Sequence, residues 1–177
     1  MRTYALSAVG ADRPGIIAAI ADRLVAHGVN VTDSQMGILR GFFAMTLIVQ
    51  VGDDVAEETL RADLEAAAAS MRLDALTLRS VVPGEEGAGD VPTHVVSVYG
   101  ADHPGILASI TGGLAAAGVN VCDLRTRLVE HDSVYVMVVD VALPEGADPD
   151  ALAASLGAVA EREGVDVTLK PADVDVL

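Results

Sequence analysis

Cysteine is almost missing from this chain: Cys122 is the only one in 177 residues. No intrachain disulfide can form, and a reducing compartment fits. Basic residues are also scarce, with 11 Lys and Arg against 26 Asp and Glu, for a net charge of −15. A nucleic-acid duplex carries about one negative charge per 1.7 Å of axis, and proteins bind it by neutralising phosphates. Scattered single basic residues make no basic stripe, so direct nucleic-acid binding is not expected, and neither is docking on an anionic membrane. No apolar run approaches the roughly 18–20 residues that span a bilayer. Asp12, Arg13 and Pro14 interrupt the N-terminal apolar stretch, which therefore does not read as a secretory signal. A cytoplasmic protein is the expectation. His27, His94, His103 and His131 show no metal-ligand spacing with Cys122. Gly112-Gly113 falls inside a helical pattern with no Lys after it, so it is not a phosphate loop. Ser97 and Ser133 have no base beside them in sequence. No metal, cofactor or catalytic residue is expected.

What is present is a repeat. Gly10-Ala11-Asp12-Arg13-Pro14-Gly15-Ile16 returns as Gly100-Ala101-Asp102-His103-Pro104-Gly105-Ile106, and Ala26-His27-Gly28-Val29-Asn30-Val31 as Ala116-Ala117-Gly118-Val119-Asn120-Val121. From Gly10/Gly100 to Asp33/Asp123, 15 of 24 aligned pairs are identical. The chain is one domain written twice. The expected division is 1–82, a linker at 83–92 that is rich in Gly, Pro and Glu, and 93–177. A composition that is 51% hydrophobic excludes disorder. Domains of about 80–85 residues bury only some 60–65% of their unfolded surface, so each gains from packing on another domain.

The hydrophobic periodicity predicts βαββαβ in each copy. In the first, strands are expected at Tyr4–Val9, Val29–Leu39, Phe42–Val51 and Leu73–Val81, and helices at Pro14–His27 and Glu57–Met71. In the second, strands are expected at Thr93–Tyr99, Val119–Val129, Ser133–Val141 and Val165–Lys170, and helices at Pro104–Ala117 and Asp150–Glu163. Ile16, Ile20 and Leu24 line one helix face. Pro14 suits a first helical turn, and Gly28 suits the position just past a helix end. The fold class is α+β: two ferredoxin-like plaits, each an antiparallel sheet with its helices on one face. In Phe42–Val51 and Val134–Val139 both alternating sets are largely apolar, which predicts strands covered on both faces and therefore a homo-oligomer or packing of one domain on the other. Cys122, aligned with Thr32, is expected to be a small, partly buried strand residue.

The element order, the Gly-x-Asp-x-Pro-Gly-Ile loop and the Gly-Val-Asn that opens the second strand resemble the ACT domain, a small regulatory module that in many proteins binds an amino acid. Two such domains in one chain resemble the glycine cleavage system transcriptional repressor family. The resemblance implies a non-enzymatic amino-acid sensor, with glycine the first ligand to try, acting through a protein partner such as a transcription factor or an enzyme. The alternatives are a scaffold that binds no ligand and a detached regulatory subunit of an enzyme of amino-acid metabolism.

Charge and backbone geometry support a ligand site independently. A helix N-terminus leaves N–H groups unpaired and carries about half a positive charge, so the amides of Gly15, Ile16 and Ile17 suit a carboxylate. Gly15 allows close approach, and Asp12 suits an ammonium. The alternative for Asp12 is that it caps the helix. Asn30 lies beyond the far end of that helix, about 21 Å away for some 14 residues, so one amino acid cannot touch both. If both bind, the site is composite. Within the chain, the Asp12 loop would work with Asn120 and the Asp102 loop with Asn30; a second copy could supply the asparagine instead. The resemblance implies the same, since ACT ligands typically sit between adjacent domains. Alternatively Asn30 and Asn120 are turn residues. The candidate ligand residues are Asp12, Pro14, Gly15, Ile16 and Asn30, with Asp102, Pro104, Gly105, Ile106 and Asn120 in the second copy. Some serine-binding ACT loops carry Asn where Asp12 and Asp102 stand and His where Gly10 and Gly100 stand, which leaves the ligand's identity open.

Overall fold

The computed structural model describes residues 1–82, 91–129 and 134–172. It forms two compact units, Met1–Glu86 and Gly87–Leu177. The expected linker lies outside the described residues at positions 83–90, as does Ser133 at the start of the seventh strand.

The first unit runs β1 (Arg2–Ala11), α1 (Ile16–Ala26), β2 (Asn30–Leu39), β3 (Phe42–Val51), α2 (Glu57–Ser70), β4 (Leu73–Ser80). The second runs β5 (His94–Ala101), α3 (Ile106–Ala116), β6 (Asn120–Val129), β7 (Val134–Ala142), α4 (Pro149–Glu163), β8 (Val165–Pro171). The sheets have the orders β2-β3-β1-β4 and β6-β7-β5-β8, with every neighbouring pair antiparallel. This is the ferredoxin-like plait expected from the periodicity.

Alternation decides what is buried. Tyr4, Leu6 and Ala8 on β1 and Phe43, Met45, Leu47, Val49 and Val51 on β3 pack under Ile16, Ile20 and Leu24 of α1 and Leu60 and Leu64 of α2. In the second unit Val96, Val98, Met137, Val139 and Val141 pack with Ile106, Ile110, Leu114, Leu152 and Leu156. Burying each such side chain contributes about 1.5–3 kcal/mol. Arg40 (φ 52°) and Gly41 (φ 85°) close the β2–β3 hairpin, with Leu39 paired to Phe42. Positive φ at both turn residues matches the twist of the flanking strands. Gly28 (φ 64°) and Gly118 (φ 69°) stand just past α1 and α3, as expected.

Three expectations need correction. Pro14 and Pro104 lie outside the helices: α1 and α3 begin at Ile16 and Ile106, because Gly15 (φ 93°) and Gly105 (φ 114°) take left-handed backbone as the N-caps. Within the single chain the third strands are fully buried only on the face under the helices. On β3, Phe42 is 55% exposed, Thr46 and Gln50 are exposed, and Ala44 and Ile48 are half-buried. On β7, Val134, Val136 and Val138 are half-buried. Cys122 is exposed, at the point where the β6–β7 register shifts between Val121 and Asp123. Thr32 stands at the same shift on β2. A residue at such a bulge leaves the ladder, and β2 and β6 are edge strands with mostly exposed residues. Finally, the second strands start at Asn30 and Asn120, so Val29 and Val119 belong to the preceding turns, where both are buried.

Candidate functional site

Each β–α loop is built the same way. The first strand ends at Ala11 or Ala101, the chain turns through Asp-x-Pro, and the left-handed glycine sends it into the helix. The Asp12 amide donates to the Gly41 carbonyl at 2.9 Å, which ties the first loop to the β2–β3 hairpin. No side chain caps α1 or α3. Asp148 shows the contrast: its side chain caps α4 by accepting from the Asp150 amide at 2.9 Å. Asp12 therefore does not cap its helix, and the first-turn amides of α1 and α3 meet no protein carboxylate through a capping bond. They remain donors with helix-dipole charge behind them.

Asp12, Pro14, Gly15, Asp102, Pro104 and Gly105 are all exposed, so each loop presents an acidic side chain and a bare glycine to a solute. Ile16 and Ile106 are different. Their side chains are fully buried in the two cores, so they offer a solute nothing but backbone. Ile17 and Leu107, the next residues, are exposed and offer apolar surface on the helices' outer sides. Asn30 and Asn120 are exposed at the starts of β2 and β6. The structure does not bring Asp12 and Asn30 of one unit together. Eleven residues of α1 lie between loop and strand, about 16 Å of helix.

The glycines that open the loops answer to packing. A Cβ on Gly10 would lie 2.9 Å from the Leu73 Cα and 3.1 Å from the Asp74 amide nitrogen. A Cβ on Gly100 would lie 2.7 Å from a Val165 methyl carbon. The closing strand of each sheet passes too near for any side chain there.

Around the glycines that start the helices the two copies differ. Met71 passes Gly15, its terminal methyl carbon 3.7 Å from where a Cβ would be. At Gly105 the Glu163 carboxylate stands in that place, Oε2 at 3.6 Å. Its other oxygen accepts from the Ser109 hydroxyl at 2.6 Å. His103 sets Nε2 2.7 Å from the Glu163 carbonyl and Nδ1 3.1 Å from the Pro104 carbonyl. Two carbonyls facing both ring nitrogens favour the doubly protonated ring. The Glu163 carbonyl first, and that of Pro104 next, raise the His103 pKa above the ordinary histidine value. Arg13 and Ala19 align with His103 and Ser109. Neither Ser109 nor Glu163 was among the expected site residues. The Ala19/Ser109 mismatch was readable inside the aligned stretch. Glu163 lay beyond it, on a helix whose equivalence with α2 shows only in the buried rows Leu60, Leu64 and Leu152, Leu156.

The family model described as "ACT domain" matches residues 3–77 and 93–170. This chain belongs to the ACT domain family. Both units are covered, their β–α loops included. The chain is 30% identical over 173 residues to the phosphoserine phosphatase SerB2 of Mycobacterium tuberculosis, a match that takes in 93% of this chain and 40% of that protein. It is 29% identical over 171 residues to a phosphoserine phosphatase of Streptomyces coelicolor, covering 94% and 39%. The chain thus spans about two fifths of the length of these relatives. A single ACT unit is 35% identical over 77 residues to the UPF0237 protein MK1213 of Methanopyrus kandleri, 86% of which is covered. Among solved structures, an unknown protein from Galdieria sulphuraria superposes with a TM-score of 0.74 at 26% identity, covering 97% of this chain and 98% of that one. A "putative glycine cleavage system transcriptional repressor" superposes with a TM-score of 0.69 at 16% identity, covering 97% of each, a likeness of fold. Among the described residues no group of three or more His, Cys, Asp or Glu could hold a metal ion, and no helix is long and apolar enough to cross a membrane.

Proposed function

We propose that this tandem ACT protein is a regulator that binds a free amino acid at the loops 12–16 and 102–106 and passes its occupancy to a protein partner. The observation that carries this reading is the repetition, in both units, of an exposed Asp ahead of a helix that no side chain caps. An α-amino acid has the complementary pair of charges. Its carboxylate suits the first-turn amides, and its ammonium suits Asp12 or Asp102. Since the loop and the asparagine of one unit stand at opposite ends of a helix, an asparagine that completes a ligand's surroundings would come from an ACT unit other than the loop's own. The acidic net charge of −15 supports action through a protein rather than on nucleic acid directly.

Glycine is one ligand to try, from the likeness to the repressor. A second reading has its own support: two relatives that match nearly the whole chain are phosphoserine phosphatases. On that reading these units are a regulatory piece serving an enzyme of this kind, and serine joins glycine as a ligand to test.

A thermal-shift screen of the amino acids tests the proposal. A ligand at 100 times its dissociation constant adds about 2.7 kcal/mol, roughly 5–10 °C in melting temperature for a chain of this size. A set of curves in which no amino acid at ~10 mM moves the midpoint by one degree leaves the scaffold alternative standing.

A further inference from the structure

The loops are copies, but their surroundings carry different charge. Beside the α1 start stand Asp12, Arg13 and the neutral Met71; beside the α3 start stand Asp102, His103 and Glu163. Glu163 is not a passing surface residue. Its carboxylate is about four-fifths buried, its Oε1 is held by the Ser109 hydroxyl at 2.6 Å, and its Oε2 lies 3.8 Å from His103 Nδ1. With His103 protonated the second set sums to one negative charge, while the first sums to zero.

We propose, resting on the amino-acid reading above, that Glu163 is a specificity-determining residue that makes the Gly105 loop the weaker of the two carboxylate sites, so that the chain fills the Gly15 loop first. A fixed carboxylate beside the helix start repels an incoming one and offsets part of the dipole's attraction. Met71, in the same place beside Gly15, leaves that attraction intact. A unit charge some 5 Å away in a solvent-rich setting changes affinity roughly 3- to 10-fold. The chain would then respond to its ligand over two concentration ranges, with one loop filled before the other.

The amides of Gly15 and Gly105 give each loop its own reporter in a nitrogen-15 correlation spectrum. Titrating the full chain with glycine, then with the other amino acids in turn, should saturate the Gly15 signal at roughly 3- to 10-fold lower concentration than the Gly105 signal. Glu163→Gln keeps an acceptor for Ser109 and removes the charge; it should bring the two half-saturation points within about twofold. Met71→Glu, the reciprocal change, should weaken the Gly15 response by a similar factor and spare Gly105. Should either variant fail to fold, the other still decides. Equal responses in the wild type, or a gap that Glu163→Gln leaves untouched, overturn the asymmetry while the amino-acid reading survives. If neither amide moves with any amino acid, the binding reading itself falls, and the asymmetry with it.

Discussion

In the first unit a run of polar contacts joins the start of β1 to α2. Arg2 reaches the Tyr4 hydroxyl at 3.2 Å, Tyr4 donates to Glu57 at 2.8 Å, and Arg61 holds the other Glu57 oxygen at 2.6 Å. His94 occupies the Tyr4 position of the second unit and turns to Thr93 instead, at 3.0 Å. His27 and Asp63 link α1 to α2 at 2.7 Å. In the second unit Ala117 and Ser155 occupy those places, and an open cleft of about 260 Å³ lies between them. The second unit has its own tie at the opposite end of its helices, the His103–Glu163–Ser109 cluster. The apolar rows of α1 and α3, the left-handed glycines before and after those two helices, and the strand orders are the same in both. The fold is held by what was kept, and whatever distinguishes the loops as binding sites lies in the few polar residues that were not.

The largest effect expected from a single change is on packing. Gly10→Ala drives a Cβ into the β4 backbone and should cost the first unit about 2–3 kcal/mol. Gly100→Ala meets a Val165 methyl carbon at 2.7 Å, its Cβ at 3.0 Å and its Cα at 3.1 Å, so turning the side chain does not clear the site and the second unit should lose a similar amount, about 2–3 kcal/mol. Hydrogen exchange resolved by residue would read each unit separately; a unit left unchanged would contradict the close approach of its closing strand.

Tyr4→Phe removes the donor to Glu57 and should cost the first unit about 0.5–1.5 kcal/mol, measured by urea unfolding, with the amide spectrum of the second unit unchanged. The pH responses should run in opposite directions. Hydrogen bonds from Tyr4 and then Arg61 lower the Glu57 pKa. Its contribution is therefore full above the ordinary glutamate value and is lost as pH falls through the lowered one. The His103 pKa is raised, so its contribution is full below the ordinary histidine value and is lost as pH rises through the raised one. Acid should loosen the first unit and mild alkali the second. Residue-resolved exchange at several pH values checks this, and a first unit that weakens on the alkaline side instead would contradict it.

The smallest effects concern the asparagines. Asn30→Ala and Asn120→Ala should each weaken one loop by a few-fold, and the loop affected should never be that of the same unit. Calorimetry on each variant would show which loop changes; loss at the mutated unit's own loop would remove the composite site.

Element order and core rows were legible because the apolar residues repeat at helical and strand spacing, as Ile16, Ile20 and Leu24 do. The loops were legible because they occur twice. The helix starts were misjudged by two residues, since Pro14 fits a first turn as well as the turn before one, and only the backbone of Gly15 separates the cases. The exposure of β2 and β6 was hidden: Met36, Ile38 and Leu39 are apolar enough for a core strand, yet these residues lie on an edge strand and stay exposed. Cys122 was misplaced for the same reason. Glu163 could not be assigned from sequence because it reaches the Gly105 loop from 58 positions away through the packing of α4 on α3.

If the Asp loops hold an amino acid, calorimetry of the double variant Asp12→Asn, Asp102→Asn against wild type should show it. Each substitution keeps size and removes the charge that meets the ammonium, an interaction worth about 1.5–3 kcal/mol. Saturable binding to the wild type and a loss of roughly 10- to 150-fold in the variant are expected. Undiminished binding of the same amino acid by a folded double variant would contradict that expectation.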